Sequence, residues 1–140
     1  MSDKYFLDTN IFIYSFDVQY PGKRDRARTL IKTALQDGRG CISYQVVQEF
    51  LNVATRKFVV PLSTADASGY LTTVLEPLCE TFGTVHLYRE ALETMERWRY
   101  SFHDSLIIAS AMASDCRILY TEDLQHGQKI GNLGIINPFV

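Results

Sequence analysis

Apolar residues follow two patterns along the chain, short uninterrupted runs and longer stretches in which they recur every three or four positions. Short runs are typical of buried strands, and the recurring pattern is typical of helices with one buried side. The predicted strands are Tyr5–Leu7, Cys41–Ile42, Thr84–Leu87, Arg117–Tyr120 and a last one around Ile135–Ile136. The predicted helices are Arg24–Asp37, Ser43 to about Lys57, a helix from Ser63 that ends before Pro77, Arg89–Arg99 and Asp104–Asp115.

Turn and cap residues separate these elements. The Pro-Gly pair in Asp17–Gly22 predicts a loop, Gly38 ends the first long helix, and Ser63 with Asp66 resembles a capping box. Because strands alternate with helices, we expect an α/β fold in three α/β/α layers with a central, mostly parallel sheet. A length of 140 residues predicts one domain, residues 1–140.

The N-terminal stretch Lys4–Tyr14 places an acid between two apolar segments. Asp8 follows the first predicted strand directly, and ligands of open α/β sheets bind at the carboxyl ends of strands. A buried acid is costly unless it is paired or holds a cation, so Asp8 is the first candidate functional residue. The alternative is an ordinary turn in which Thr9 or Asn10 caps the following helix.

Composition narrows the class of protein. The sequence is 46% hydrophobic and 21% charged, which is typical of a globular protein, and has no membrane-length apolar run or signal-peptide pattern. Its three cysteines lack metal-site spacing and predict free thiols in a cytoplasmic protein. The net charge of −2 argues against nucleic-acid binding by bulk positive charge. The local basic cluster Lys23–Arg28 fits either a nucleic-acid contact or a solvated helix face.

Four acids occur where this fold concentrates function. Asp8 and Asp123 end strands, Asp104 begins the most apolar helix, and Glu49 flanks the apolar side of the helix after the second strand. Each has a structural alternative, such as a capping-box role for Asp104 after Ser101. Together the four acids would converge on one end of one sheet, where carboxylates repel each other unless a cation neutralises them. An all-oxygen cluster suits Mg²⁺ or Mn²⁺, which nucleases use to activate water and orient phosphate.

The ordered set of these residues resembles the PIN domain. The set is the apolar run before Asp8-Thr9-Asn10, then Glu49, Ser101-Phe102-His103-Asp104 and Leu119-Tyr120-Thr121-Glu122-Asp123. The C-terminal part, from Asp123 through Asn137-Pro138-Phe139, is similar to the VapC-type toxin branch of that family, whose members belong to type II toxin–antitoxin pairs.

The resemblance implies roles for particular residues. The family's metal-binding acids match Asp8, Glu49, Asp104 and Asp123; its supporting hydroxyl residue matches Thr121, and its polar residue after the first acid matches Asn10. The implied activity is an endoribonuclease that depends on Mg²⁺ or Mn²⁺, forms a homodimer and is restrained by a cognate antitoxin. No pattern marks the residues that contact RNA, and the direction of the additional acid Glu122 is left open.

Two other functions remain open at this stage. A receiver-like signalling module also gathers acids around Mg²⁺, but it needs a lysine at a late strand end, where this chain has Thr121-Glu122-Asp123. A catalytically silent module would keep the fold to bind a partner. Among the histidines, His103 and His126 are candidates to border the acidic site, and His86 is expected to be structural, within the strand Thr84–Leu87.

Overall fold

The computed structural model describes residues 3–140, and its centre is a six-stranded sheet. The strand order is β3-β2-β1-β4-β6-β5, with β5 antiparallel to β6 and the other neighbouring pairs parallel. The strands are β1 (Tyr5–Leu7), β2 (Gly40–Ser43), β3 (Cys79–Thr81), β4 (Ile118–Tyr120), β5 (Lys129–Ile130) and β6 (Leu133–Ile136). The predicted mostly parallel sheet is confirmed, with an additional antiparallel edge strand.

Helices flank this sheet, which confirms the predicted α/β/α layering. They are α1 (Thr9–Tyr14), α2 (Pro21–Asp37), α3 (Tyr44–Arg56), α4 (Thr64–Tyr70), α5 (Glu76–Leu78), α6 (Val85–Trp98) and α7 (Phe102–Ala113). The predicted Pro-Gly turn was wrong, because Pro21 and Gly22 form the first turn of α2. Proline is tolerated there since the first backbone N–H groups of a helix have no partner within it. No helix within residues 3–140 is long and apolar enough to cross a membrane.

The predicted third strand, Thr84–Leu87, was wrong. Thr84 is the N-cap of α6, and its hydroxyl accepts a hydrogen bond from the Leu87 N–H at 3.0 Å. Apolar and polar residues alternate in Thr84-Val85-His86-Leu87, but four residues are too few to distinguish a strand from the start of a helix. The actual third strand, Cys79–Thr81, is a short edge strand with little apolar character, so the pattern did not reveal it.

The predicted helix end before Pro77 was also wrong. The helix that Ser63 caps through the Asp66 N–H continues from α4 through a π-helical turn, Leu71–Leu75, into α5. Pro77 lies in the first turn of α5. The wider π turn lets the helical path continue past a residue that has no backbone N–H.

The apolar side of α6 is exposed rather than buried. The side chains of Leu92 and Met95 are 54% and 39% exposed, while the helix buries Leu87 and Ala91 instead. Leu92, Met95 and Trp98 recur at helical spacing in the sequence, but only Trp98 of the three packs against the core. The same side carries Val85, so α6 presents an apolar surface away from the core.

The core depends on a close approach between β2 and α2. A Cβ atom on Gly40 would collide with the Cβ of Ala34 and lie 2.8 Å from a ring carbon of Tyr5. Gly40→Ala is therefore expected to lower the free energy of unfolding by about 1–3 kcal/mol, as overpacked cores do. Urea denaturation measures the change. The control is Gly69→Ala in α4, where a Cβ meets nothing within 4 Å and no loss of stability is expected. Equal effects at the two positions would contradict the packing argument.

Candidate active site

The two strand-end acids meet because their strands are neighbours. Strand β1 pairs with β4 in parallel, with Leu7 opposite Tyr120. The carboxyl ends of the two strands therefore lie at the same end of the sheet. Asp8 follows β1, and Thr121 and Asp123 follow β4. Parallel pairing therefore brings side chains more than a hundred residues apart into one site.

Asp8 is the buried centre of this site, with only 3% of its surface exposed. One carboxylate oxygen accepts a hydrogen bond from the Thr9 N–H at 2.7 Å, which makes Asp8 the N-cap of α1. The other accepts from the Thr121 hydroxyl at 2.7 Å. The alternative that Thr9 or Asn10 caps this helix was wrong, and Asp8 both caps α1 and faces the site.

Thr121 connects the first acid to the last. Its hydroxyl donates to Asp8 and accepts a hydrogen bond from the Asp123 N–H at 3.1 Å. The residue is fully buried. A single hydroxyl therefore orients the Asp8 carboxylate and the backbone that carries Asp123.

Glu49 joins the site through α1 and α7. The Thr9 hydroxyl donates to one Glu49 oxygen at 2.9 Å, and the other lies 3.1 Å from Nδ1 of His103. The Gln45 amide nitrogen lies 3.3 Å from the same His103 nitrogen and 3.3 Å from the His103 carbonyl oxygen. These contacts place Glu49 beside the start of α7, where Asp104 lies.

Asp104 occupies the first turn of α7. The hydroxyl of Ser101 caps this helix by accepting from the Asp104 N–H at 3.1 Å. A negative charge is favourable at this helix end. The charge of Asp104 also acts on Glu49 and Asp123, because it raises the pKa of both. Asp104 thus serves the helix terminus and the acid cluster together.

The cluster is short of positive charge. The pKa of Asp8 is raised from 3.8 to about 6, chiefly by burial and in smaller part by the charges of Asp123 and Glu49, against the hydrogen bonds from Thr121 and Thr9. Burial likewise raises the pKa of Glu49, and His103 only partly offsets it. Desolvation and the charge of Asp104 raise the pKa of Asp123. All three shifts mean that ionisation is costly without a cation.

Asn10 adds a buried amide to the site. It lies beside Asp123 and lowers the pKa of that carboxyl group. Neither its nitrogen nor its oxygen makes a hydrogen bond of ordinary geometry, although both atoms are buried. Buried polar atoms without partners are uncommon in folded proteins, so this amide is available to a bound group.

Glu122 points away from the cluster. Although desolvation acts against it, hydrogen bonds from Lys23 and Tyr14, each 2.6 Å long, lower the pKa of Glu122. Residues of the basic cluster Lys23–Arg28 also make hydrogen bonds within the protein: Arg26 donates to the Pro138 carbonyl and Arg28 to the Ser15 carbonyl. The direction that the sequence left open is therefore settled, and this acid belongs to an ion pair.

The donor set fits a hydrated divalent cation. Among residues 3–140, no three acidic, histidine or cysteine side chains are grouped closely enough to hold one ion as they stand. Mg²⁺, however, keeps several water ligands and is usually bound through only one or two carboxylates. The raised pKa values and the Asn10 amide, which has no hydrogen bond of ordinary geometry, are the features that such an ion would satisfy.

Thr121 provides a direct test of this architecture. Thr121→Val keeps the shape but leaves the Asp8 carboxylate and the Asp123 N–H without their shared partner, so the free energy of unfolding should fall by about 1.5–3 kcal/mol. Thr121→Ser restores the hydroxyl and should recover most of the loss. Urea melts of both variants measure this. If Thr121→Val were no less stable than Thr121→Ser, which keeps the hydroxyl and loses only the methyl group, the hydroxyl would not be what stabilises the site.

Sequence reasoning missed two supporting residues. The hydroxyl of Thr9 and the amide of Gln45 position Glu49 and His103, but their contacts depend on how α1, α3 and α7 pack. His103 borders the site as predicted. His126 accepts from the Asn137 N–H, and His86 is an exposed residue of α6 that contacts Glu90, contrary to its predicted place in a strand.

Comparisons with known proteins identify the family and the fold of the chain. The sequence model of the PIN domain family matches residues 5–129. No curated protein sequence matches the chain. A chain of a toxin–antitoxin complex from Klebsiella pneumoniae superposes with a TM-score of 0.70 at 15% identity, covering 96% of this chain and 98% of that one.

Two further solved structures have the same fold. VapBC2 from Rickettsia felis, bound to a promoter DNA fragment, has a TM-score of 0.64 at 19% identity over 94% of this chain and 96% of its own. VapC20 from Mycobacterium tuberculosis, described as a toxin that cleaves the sarcin-ricin loop, has a TM-score of 0.58 at 19% identity over 86% and 90%. Because the domain model spans most of the sequence and the fold agrees with it, the chain belongs to the PIN domain family.

Proposed function

We propose that this protein is an endoribonuclease that depends on Mg²⁺ or Mn²⁺ and acts as the toxin of a toxin–antitoxin pair. The observation that carries the proposal is the convergence of Asp8, Glu49, Asp104 and Asp123 at one end of the sheet, with the pKa of three of them raised. The structural similarity to toxin–antitoxin proteins supports the biological role.

Asp8 and Asp104 would be the principal metal ligands, with Glu49 and Asp123 holding a second ion or its water molecules. The bound ion supplies a more acidic water and charge stabilisation for a phosphodiester. The chain's own contribution is orientation. Thr121 and the Thr9 N–H fix the Asp8 carboxylate, and the Thr9 hydroxyl fixes Glu49.

RNA in a single-stranded or looped conformation is the proposed substrate. An A-form duplex gives side chains little access to its bases, whereas unpaired nucleotides can enter a cleft. The site lies at the open end of the sheet, and His103 beside it is exposed. The description of VapC20 as a toxin that cleaves the sarcin-ricin loop is consistent with a looped substrate.

Two protein partners belong to the proposal. A cognate antitoxin would restrain the nuclease, as expected for a chain that resembles toxin–antitoxin components. A second copy of the chain is the other proposed partner, as the family resemblance implies.

The test is incubation of the purified chain with a pool of single-stranded RNAs, in EDTA and in millimolar Mg²⁺ or Mn²⁺. We expect cleavage with the metals and little or none in EDTA, measured on denaturing gels. Robust cleavage in excess EDTA would reject the metal-dependent mechanism and direct attention to His103. Absence of cleavage under every condition would favour the signalling or silent module instead.

A further inference from the structure

A second cleft opens beside the acid cluster, between α3, α6 and α7. It encloses about 620 Å³, and its lining includes Glu49 and His103, which also belong to the acid cluster. Binding sites for small organic groups have volumes in this range. An RNA strand with a phosphate group at the acid cluster would therefore have this cleft next to it.

One wall of the cleft is aromatic. The hydroxyl groups of Tyr44 and Tyr88 are hydrogen-bonded at 2.7 Å, and the ring of Phe102 lies 6.2 Å from that of Tyr88. The Tyr88 and Phe102 side chains are 40% and 38% exposed. Exposed aromatic faces of this kind are the surfaces on which nucleobases stack, and every base has a face that can do so.

The α3 side of the cleft carries side-chain amides. Gln45, Gln48 and Asn52 follow one another at intervals of three and four residues along α3, so they lie on one side of the helix. Gln48 and Asn52 are exposed and accessible. Gln45 is more than nine-tenths buried, and its oxygen lacks a hydrogen-bond partner, so a donor entering the cleft would satisfy it.

The negative charge of the cleft favours the neutral base of a nucleotide over its phosphate group. Its described lining contains no lysine or arginine, and Glu49 makes it negative. A phosphate group would be repelled, whereas a neutral, planar group with donors and acceptors on its edge matches both walls.

We infer that this cleft binds one unpaired nucleobase of the RNA next to the scissile phosphate. The base stacks on Phe102 and Tyr88, and the amides of Gln48 and Asn52 contact its edge. Asn and Gln pair in a bidentate manner with the N6 and N7 positions of adenine, so adenine is the best match. The inference rests on the proposed ribonuclease function for its substrate, but base binding itself needs no cleavage.

The first experiment measures binding without cleavage. Three proteins are compared in EDTA: Asp8→Asn, Asp8→Asn with Phe102→Leu, and Asp8→Asn with both Gln48→Leu and Asn52→Leu. Each is titrated against fluorescent single-stranded RNA 8-mers made only of A, only of C or only of U. Phe102→Leu should weaken binding of all three RNAs at least about fivefold. The double amide change should abolish the preference for A over C and U. The matched controls, Phe82→Leu at an exposed position and Gln36→Leu on α2, should leave affinity and preference unchanged.

The second experiment uses the active chain with metal and an RNA pool of random sequence. The wild type should show a base preference at one position beside the cut, and the change of Gln48 and Asn52 should flatten that preference while cleavage continues. If the chain proved not to be a nuclease, only this second experiment would fail, and the binding measurements would still decide on the cleft.

Two results would overturn the inference. The first is equal RNA affinity of the Phe102→Leu protein and the Phe82→Leu control. The second is that Phe102→Leu loses RNA binding and at the same time shows a smaller molecular mass in light scattering than the protein without this change. The cleft would then be an interface with a second copy of the chain.

Discussion

Asp8→Asn is expected to reduce the rate of RNA cleavage at least about a hundredfold, because it removes a charge that the bound ion and its water require. Asparagine keeps the size of the side chain, and its oxygen can still accept the hydrogen bond from the Thr9 N–H that caps α1. Its amide nitrogen would meet the Thr121 hydroxyl, which can rotate to accept. The fold should therefore survive while the metal ligand is lost.

The same change should be visible in cells. Production of the wild-type chain without an antitoxin is expected to arrest growth, whereas production of Asp8→Asn is not. Growth curves after induction, together with immunoblots that confirm equal amounts of protein, provide the measurement.

Glu122→Gln is the matched control. It removes an acid only one residue from Asp123, but this acid is engaged with Lys23 and Tyr14 rather than with the cluster. Cleavage and growth arrest should both persist. If Glu122→Gln were as inactive as Asp8→Asn, loss of any nearby charge would suffice and the specific role of Asp8 would be refuted.

The position of the strand-end acids could be predicted from the sequence because topology determines it. A short apolar run followed at once by Asp8, and another followed by Thr121 and Asp123, implies two parallel strands whose ends share one edge. No such rule gives the Thr9–Glu49–His103 chain of contacts, since these residues lie on three helices whose relative positions depend on packing.

The errors in the fold have a related physical origin. The run Thr84–Leu87 is too short for its spacing to identify it, and the edge strand Cys79–Thr81 needs few apolar residues because it is not fully covered. The spacing of Leu92 and Met95 is that of residues on one side of a helix. Spacing alone does not determine whether that side meets the core or a partner.

In the metal-free protein, the contribution of Asp8 to the free energy of unfolding should be larger at pH 5 than at pH 7.5. The pKa of Asp8 is about 6 in the folded protein and about 3.8 as its ordinary value. Between these values the folded state binds more protons than the unfolded state, so the free energy of unfolding rises as the pH falls through 6. From pH 7.5 to pH 5 this contribution is about 1–2 kcal/mol. The raised pKa values of Glu49 and Asp123 act in the same direction.

Mg²⁺ or Mn²⁺ should counteract this effect, because the ion binds the ionised acids and stabilises only the folded state. At a metal concentration a hundred times the dissociation constant the gain is about 2.7 kcal/mol, and it should be larger at pH 7.5, where protons compete less. Asp8→Asn should lose little stability in EDTA at pH 7.5, show a weaker pH dependence and gain much less from metal. Urea melts of both proteins at pH 5 and pH 7.5, in EDTA and in millimolar Mn²⁺, measure all three effects. The difference between the proteins isolates Asp8, because every other titrating group is common to both. If the wild-type midpoint ignored the metal at both pH values, the acids would be helix caps and surface charges rather than a cation site.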